Sequence, residues 1–579
     1  MNAPFIPNDA PFSEEQKSWL AGFLAGVQSR SLFDVGTSAD ADLTRLDILY
    51  GTQTGNAEGV AEEAAAAAKA AGFAPHVAEL DDISMEQLAQ MQNLLVVIST
   101  YGEGEMPDNA GLFWGELTSS TAPRLESMHF SVLALGDTGY DEFCQAGKLM
   151  DMRLEQLGAK RVHDRVDCDI DFEEPAEQWT SGVLEVMPRT GGGEAVPQSG
   201  GEAKAKKSKW NRKNPYASTI LENRLLSGKG SAKEIRHFSF DLGDSELTYE
   251  AGDAMGVMPT NDPALVDLFL ERLGAKVDDA VEGHDLPLGE LLAKSFEIST
   301  PSKEFIAEIE RRAGHDELSH VLNNGDKEAL ESFLWGRDTL DLLNLEEGLD
   351  ISANDFVGLL KPLQHRAYSI SSSPKAHPGE VHLTVASVRW TYDNRQHKGV
   401  CSTFLADRVK EGDQSGIFMS PNKSFRPPEN DDAPMIMVGP GTGIAPFRAF
   451  LEERRERGAK GKNWLFFGDQ HLAHDFIYQD EIGQMSEDGL INRLDLAFSR
   501  DQKEKIYVQT RMKENGKALF KWLEEGGYFY VCGDATRMAK DVDRALAEVI
   551  AEHGGLNDDG AQAYVDTLKR EKRYLRDVY

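Results

Sequence analysis

Gly51-Thr52-Gln53-Thr54-Gly55-Asn56-Ala57 follows the apolar run LDILY and leads into a helix-like stretch from Ala57 to Ala71. Small and hydroxylated residues at a strand-to-helix turn aim backbone N–H groups at an anion, and the helix N-terminus adds its positive end. A phosphate suits such a turn. No GK[ST] follows, so the lysine of a nucleoside triphosphate site is missing and a single monoester phosphate is favoured. Two later apolar runs, NLLVVIS and FSVLAL, end in comparable loops. These are Ser99-Thr100-Tyr101-Gly102-Glu103-Gly104 and Leu135-Gly136-Asp137-Thr138-Gly139-Tyr140-Asp141-Glu142-Phe143-Cys144. Three such loops at one sheet edge stand where open α/β folds bind ligands. Tyr101 and Tyr140 offer faces to sandwich a flat ring, and Glu103, Glu105, Asp137, Asp141 and Glu142 surround it with charge that disfavours an anionic reduced form.

A second set of chemically capable residues lies past position 360. Arg366-Ala367-Tyr368-Ser369 opens one strand-like segment, Thr384-Val385-Ala386 lies on a later one, and Gly399-Val400-Cys401-Ser402 leads into a helix expected to open at Thr403. An arginine and a helix N-terminus can share a pyrophosphate, and Tyr368 offers a stacking face, which suits a dinucleotide. Farther on, MIMV runs into Gly439-Pro440-Gly441-Thr442-Gly443-Ile444-Ala445-Pro446-Phe447-Arg448. Its glycines let a nucleotide approach closely, although the spacing is not GxGxxG. Ser499 and Arg500 follow the run RLDLAF, with Lys505-Ile506-Tyr507-Val508-Gln509 close behind. A hydroxyl, two cations and a tyrosine are what a dianionic 2′-phosphate needs, whereas a free ribose calls for an acid; NADPH is the coenzyme inferred. Cys532 ends the run YFYVC, and the chain closes on Arg573-Tyr574-Leu575-Arg576-Asp577-Val578-Tyr579. His471 and His474 have no acidic or cysteine neighbours at ligand spacing and read as surface loop, with no metal.

The elements that must position these residues follow from patterning. At 579 residues the chain exceeds one hydrophobic core, and 40% hydrophobic with 27% charged residues is ordinary for folded protein. An N-terminal segment, 1–45, carries an amphipathic helix over 13–30 with Trp19, Leu20, Phe23, Leu24 and Val27 on one face, which reads first as packing on the protein's own body and second as a contact for homo-oligomer assembly. An alternating strand and helix pattern over 46–187 predicts a first α/β domain. Residues 188–209, rich in Gly, Ser, Pro and Lys, predict a flexible linker. A β domain over 210–433 carries a helical insertion at about 260–350, and a second α/β domain fills 434–579. Against 61 Lys plus Arg stand 97 Asp plus Glu, a net charge of −36, which disfavours nucleic acid or an anionic membrane surface as partner. Four scattered cysteines, Cys144, Cys168, Cys401 and Cys532, indicate neither a disulfide framework nor a cluster site. With no signal-peptide layout and no bilayer-length apolar run, a cytosolic protein is expected.

The three loops of the first domain resemble flavodoxin, whose ligand is FMN. The RxYS and GxCS elements and the GPGTGIAPFR turn resemble the ferredoxin–NADP reductase family. Together they are similar to the diflavin reductases along nearly the whole chain. The resemblance implies a flavodoxin-like domain, an FAD-binding β-barrel with a helical insertion and a Rossmann-like NADPH domain. It further implies FAD contacts at Trp390 and Tyr579 and coenzyme contacts at Gly441, Thr442 and Asp541. Ser369, Cys532 and Asp577 would stand beside the hydride, with Tyr579 covering the FAD ring. WLAGFLAG near the N-terminus and the RYLRDVY ending resemble the flavoprotein subunits of assimilatory NADPH–sulfite reductases. That implies electron flow from NADPH to FAD to FMN and on to a sirohaem and iron–sulfur haemoprotein subunit reducing sulfite to sulfide. A reductase for a haem monooxygenase, one for a cobalamin-dependent or other soluble acceptor, and a non-catalytic flavin carrier remain open on these residues.

Overall fold

The computed structural model describes residues 43–102, 104–138, 142–189, 208–346 and 348–579, which fall into two units. The helix expected at 13–30 lies outside the described residues, as do Glu103, Gly139, Tyr140, Asp141 and positions 190–207 of the expected linker.

In the first unit the strands are β1 (Thr44–Gly51), β2 (Phe73–Glu79), β3 (Asn93–Ser99), β4 (His129–Leu135), β5 (Lys160–Arg161) and β6 (Val166–Cys168). All pairings are parallel, in the order β2-β1-β3-β4, with β5 and β6 both on β4. The strands read as continuous apolar runs because helices cover both faces. Ala57, Ala61, Ala64 and Ala68 on the helix Asn56–Ala70 are wholly buried and, lacking bulk, let it lie close to the sheet beside Trp179 and Val183. Phe113, Leu117, Met150 and Leu154 cover the other face. The strand order turns back between β1 and β3, so their carboxyl ends open onto the crevice where such sheets take ligands.

The second unit begins with an antiparallel barrel. Its strands are β7 (Tyr216–Leu225), β8 (Glu234–Asp241), β9 (Ala254–Met258), β10 (Arg366–Ser369), β11 (Glu380–Ser387) and β14 (Gln414–Ser420), with β12 (Arg389–Tyr392) and β13 (Arg395–Lys398) forming a separate hairpin. The order is β10-β9-β14-β7-β8-β11, and a bridge between Ile370 and Leu383 closes the ring. Between β9 and β10, seven helices from Pro263 to Leu359 pack on a core of their own around Phe269, Phe305, Leu342 and Phe356. The helical stretch therefore runs past residue 350, because the Ala353–Leu359 helix buries Phe356 and Val357 in the same core. The chain ends in a five-stranded parallel sheet ordered β17 (Arg493–Phe498), β16 (Asn463–Asp469), β15 (Met435–Val438), β18 (Tyr528–Gly533) and β19 (Tyr574–Val578).

Candidate functional site

At the end of β1 the Thr52 amide donates to Asn109 Oδ1 at 2.8 Å, which leaves Thr52 Oγ1 and Asn109 Nδ2 buried without partners among the described residues. An unmade hydrogen bond at a buried polar atom costs about 1 to 3 kcal/mol, so two orphans at one turn fit a phosphate whose oxygens would accept from both. Gly55, at φ +82°, takes the left-handed conformation that brings the chain into the helix starting at Asn56. The loop after β3 is anchored by Tyr101 pairing with Glu105, and Thr100 Oγ1 accepts from the Ala146 amide at 3.2 Å. The loop after β4 is fixed from outside by Asp169, which accepts from the Thr138 amide at 3.0 Å and its hydroxyl at 2.6 Å. Cys144 is buried at the N-cap of the helix Gln145–Gln156, its thiol pushed up by desolvation and directed at the Ala134 and Cys168 carbonyls. Sequence spacing gave no sign of Asn109 or Asp169, which come from neighbouring loops.

In the barrel, the RAYS and GVCS elements meet through the side chains of Tyr368 and Cys401. Gly399 donates its amide to Val388 O at 2.9 Å, and Ser402 Oγ accepts from the Val388 amide at 3.1 Å, so the end of β11 and this helix start are tied together. That helix opens at Val400 with Gly399 as N-cap, three residues earlier than expected, because the glycine already turns the chain. Arg366 is held by Glu297 at 3.0 Å and by the carbonyls of Gln364 and His365. The Thr384 hydroxyl lies 2.7 Å from the Tyr478 hydroxyl, which ties β11 to the Tyr478 side chain. Trp390 donates to Gly336 O at 2.9 Å and stacks on His397. It borders a cavity of about 220 Å³ shared with Ala264, Leu268, Lys398, Val400 and Thr403. Its lining mixes these apolar residues and the Trp390 face with Asp262, Asp338, Arg395 and Arg408, and Lys398 is paired with Asp262 at 2.8 Å. Asp338, Asp341 and His397 converge to within 4.8 Å, but Arg395 pairs with both carboxylates and supplies the cation there.

The last sheet presents the glycine turn at the end of β15. A Cβ on Gly443 would stand 2.1 Å from Cys532 O, so only glycine lets the turn lie against β18. Beside it, Ser369 Oγ donates to Asp577 Oδ2 at 2.6 Å across 208 positions of sequence, and Cys532 Sγ approaches the same oxygen at 3.7 Å. Cys532 and Asp577 are neighbours in the β18–β19 ladder. Burial and then Asp577 push the Cys532 thiol far up, so it stays protonated. Tyr579 is 61% exposed, and its hydroxyl lies 3.0 Å from Thr442 Oγ1. Ser499 Oγ donates to Asp469 O at 3.3 Å, and Gln509 Nε2 to Asp541 Oδ2 at 3.3 Å. Lys505 and Tyr507 are exposed, with Tyr507 capping the helix that carries Val508 and Gln509. Arg500 and Lys505 have no ion pair among the described residues and are available to an anion. His471 does have an acidic partner, Asp501 at 2.8 Å, brought from 30 positions away.

Three families match this chain in order. Residues 48–179 match Flavodoxin, 208–404 match FAD binding domain, and 437–544 match Oxidoreductase NAD-binding domain. A sulfite reductase [NADPH] flavoprotein alpha-component of Bacillus subtilis is 43% identical over all of this chain and 99% of its own length. Counterparts of the same description from Vibrio cholerae and Shewanella sp. ANA-3 are each 41% identical over 98% of this chain, covering 93% and 96% of their own lengths. The chain belongs to the family of NADPH–sulfite reductase flavoprotein alpha-components. As a member it is an oxidoreductase of flavodoxin-like, barrel and Rossmann-like domains. FMN belongs to the first domain, FAD to the second and NADPH to the third, and electrons pass from NADPH to FAD to FMN. No helix among the described residues is long and apolar enough to cross a membrane.

Proposed function

We propose that this chain feeds electrons from NADPH to a sirohaem and iron–sulfur haemoprotein subunit that reduces sulfite to sulfide. When bound, NADPH supplies a hydride, FAD accepts the pair, and FMN passes electrons on singly. The Bacillus subtilis relative matches from end to end and is described as a sulfite reductase [NADPH] flavoprotein alpha-component, and this observation supports the reading most directly. The four cysteines are free and buried, with the Cys144 thiol against the Cys168 carbonyl at 3.5 Å, and cluster chemistry is read as the partner's contribution. Ser369, Asp577 and Cys532 are read as the hydride end: the carboxylate, oriented by the serine, offers negative charge to a nicotinamide ring that becomes cationic as it gives up hydride. Ser499, Arg500, Lys505, Tyr507 and Gln509, with Asp541 behind Gln509, are read as the 2′-phosphate end. Tyr579 is read as a cover for the FAD ring that the nicotinamide displaces.

The segment 46–187 carries the FMN loops, 210–433 the FAD site and 434–579 the coenzyme site, with 188–209 as a tether that lets FMN load and then deliver. Seven basic against 26 acidic residues between 47 and 185, a balance of −19, favour docking on a basic partner face. The 13–30 helix is read as a contact for assembly, and the protein as cytosolic. Mixing the holoprotein with its haemoprotein subunit tests the acceptor. NADPH-dependent sulfide formation supports the reading. Rapid ferricyanide reduction without sulfide would point to another acceptor.

A further inference from the structure

Ser369 belongs to the barrel, whereas Asp577 and Cys532 belong to the coenzyme lobe, so their 2.6 Å contact depends on what fixes one lobe against the other. Two residues past Ser369, the Ser371 carbonyl accepts from Arg448 Nη1 at 2.6 Å. Arg448 stands on the helix Ala445–Arg457, which begins where the glycine turn ends. Its remaining donors are also committed: Nε to Glu481 at 2.7 Å and Nη2 to Glu452 at 3.0 Å, with the guanidinium over the Tyr478 ring. The neighbouring acids hold the same barrel segment. Glu452 accepts from the Ser373 amide at 2.9 Å, and Glu453 accepts from the Ser373 hydroxyl at 2.7 Å and from Lys375 at 2.6 Å.

The surroundings suit a cation that must not move. Arg448 and Glu452 are buried, and a buried charge that loses a partner is strongly destabilised. His382 packs between His237 and His377, with its Nδ1 3.4 Å from Arg448 Nη1. Burial, then Arg448, holds His382 down at about 4, and burial, then His382, holds His237 at about 2, so neither competes as a cation near neutral pH. His382 Nδ1 is then free to face the guanidinium as an acceptor, while Nε2 faces Glu380 at 3.1 Å. The joint thus grips the chain two residues from Ser369 and five residues from the glycine turn.

We propose that Arg448 is a positioning residue for hydride transfer: by holding the Ser371 carbonyl it sets the distance between the Ser369 hydroxyl and the Asp577–Cys532 pair. The proposal rests on reading that trio as the hydride end. The test uses the full flavin-loaded chain with Arg448→Met and Arg448→Lys, beside Ser369→Ala. Misplacement of about 1 Å can cost on the order of 100-fold, so Arg448→Met should slow FAD reduction by saturating NADPH roughly 10- to 100-fold. The NADP⁺ dissociation constant should stay within about 2-fold, because Arg448 does not face the coenzyme end, and amide exchange should quicken over residues 370–377. The lysine variant should recover several-fold, since an ammonium can still reach the carbonyl. An unchanged rate in Arg448→Met, equal losses in both variants, or a rate loss matched by NADP⁺ affinity would overturn the proposal. If Arg448→Met fails to retain FAD, Glu452→Gln, which frees one of its partners, should slow the same step by at least about 3-fold, and no slowing would overturn it equally. A wild-type rate in Ser369→Ala would instead remove the hydride-end reading itself.

Discussion

The two ligand-facing regions of this chain are built in opposite ways. In the first unit the loops at the ends of β1, β3 and β4 come from one sheet edge, and the buried groups left without partners at the first of them are the Thr52 hydroxyl and the Asn109 side-chain amide. In the second, a serine of the barrel meets a carboxylate and a thiol of another lobe, and a buried ionic joint holds the two together. The first arrangement is built from loops at one sheet edge, buttressed by Asn109 and Asp169 from neighbouring loops of the same unit. The second brings together side chains whose spacing is a tertiary property, so distant substitutions reach it.

The largest expected effect that would sharpen this contrast is at Asp577. Removing one preorganised charge at a reacting centre typically costs roughly 10²- to 10³-fold. Asp577→Asn should therefore slow FAD reduction by NADPH or NADH by about 100-fold, read by stopped flow, while FMN reduced chemically still delivers electrons normally. Equal slowing of both steps would erase the distinction. Next comes Arg500→Ala. A charge-assisted hydrogen bond is worth about 1.5 to 3 kcal/mol, hence roughly 10- to 150-fold in the NADPH KM, with the NADH KM little changed. Parallel changes would take Arg500 out of phosphate reading.

At the first unit, Thr52→Ala removes the orphan hydroxyl. It should weaken FMN binding about 10-fold, equivalent to about 1.4 kcal/mol, without touching FAD content, as equilibrium dialysis of the flavins will show.

A further contrast lies in stability against pH, where the regions should diverge in sign. His382 and His237 are held below their ordinary value of 6.5, so as pH falls below about 6.5 the unfolded chain takes up protons that the folded second unit refuses. That unit loses up to about 1.4 kcal/mol per pH unit for each histidine, and the share of His382 levels off near pH 4. In the first unit, burial pushes Asp81 up to about 6 against the Phe113 and Leu112 amides it accepts from. Folded Asp81 binds its proton earlier than the unfolded chain does, so this group stabilises its unit as pH falls from about 6 toward 4. Pulse proteolysis at pH 7 and pH 5, with fragments assigned to each unit, should show the second unit cleaved more at pH 5 relative to the first. The reverse order would refute the assignment.

What the sequence revealed follows the same division. The turn after LDILY, the glycine turn and the RAYS strand were legible because chemistry and backbone geometry coincide within a few residues. The approach of Ser369 to Asp577 and Cys532 was legible only through family resemblance, since no local pattern joins residues 208 apart. Asn109, Asp169 and Glu297 went unread for the same reason: each supports a site residue from another loop. The helix opens at Val400, ahead of the expected Thr403, because Gly399 already serves as its N-cap and no side-chain signal in the sequence marks that glycine as one. His471 was read as unpartnered because Asp501 reaches it only through the fold.

The central claim is that hydride enters at the lobe seam of the second unit and that electrons leave only through the first. It is tested most directly with the full chain emptied of FMN alone, mixed with NADPH and the haemoprotein subunit in a stopped-flow spectrometer. The account predicts FAD reduction at the rate of the fully loaded protein, no reduction of the haemoprotein, and its return when FMN is added back. Haemoprotein reduction at an undiminished rate without FMN would contradict it.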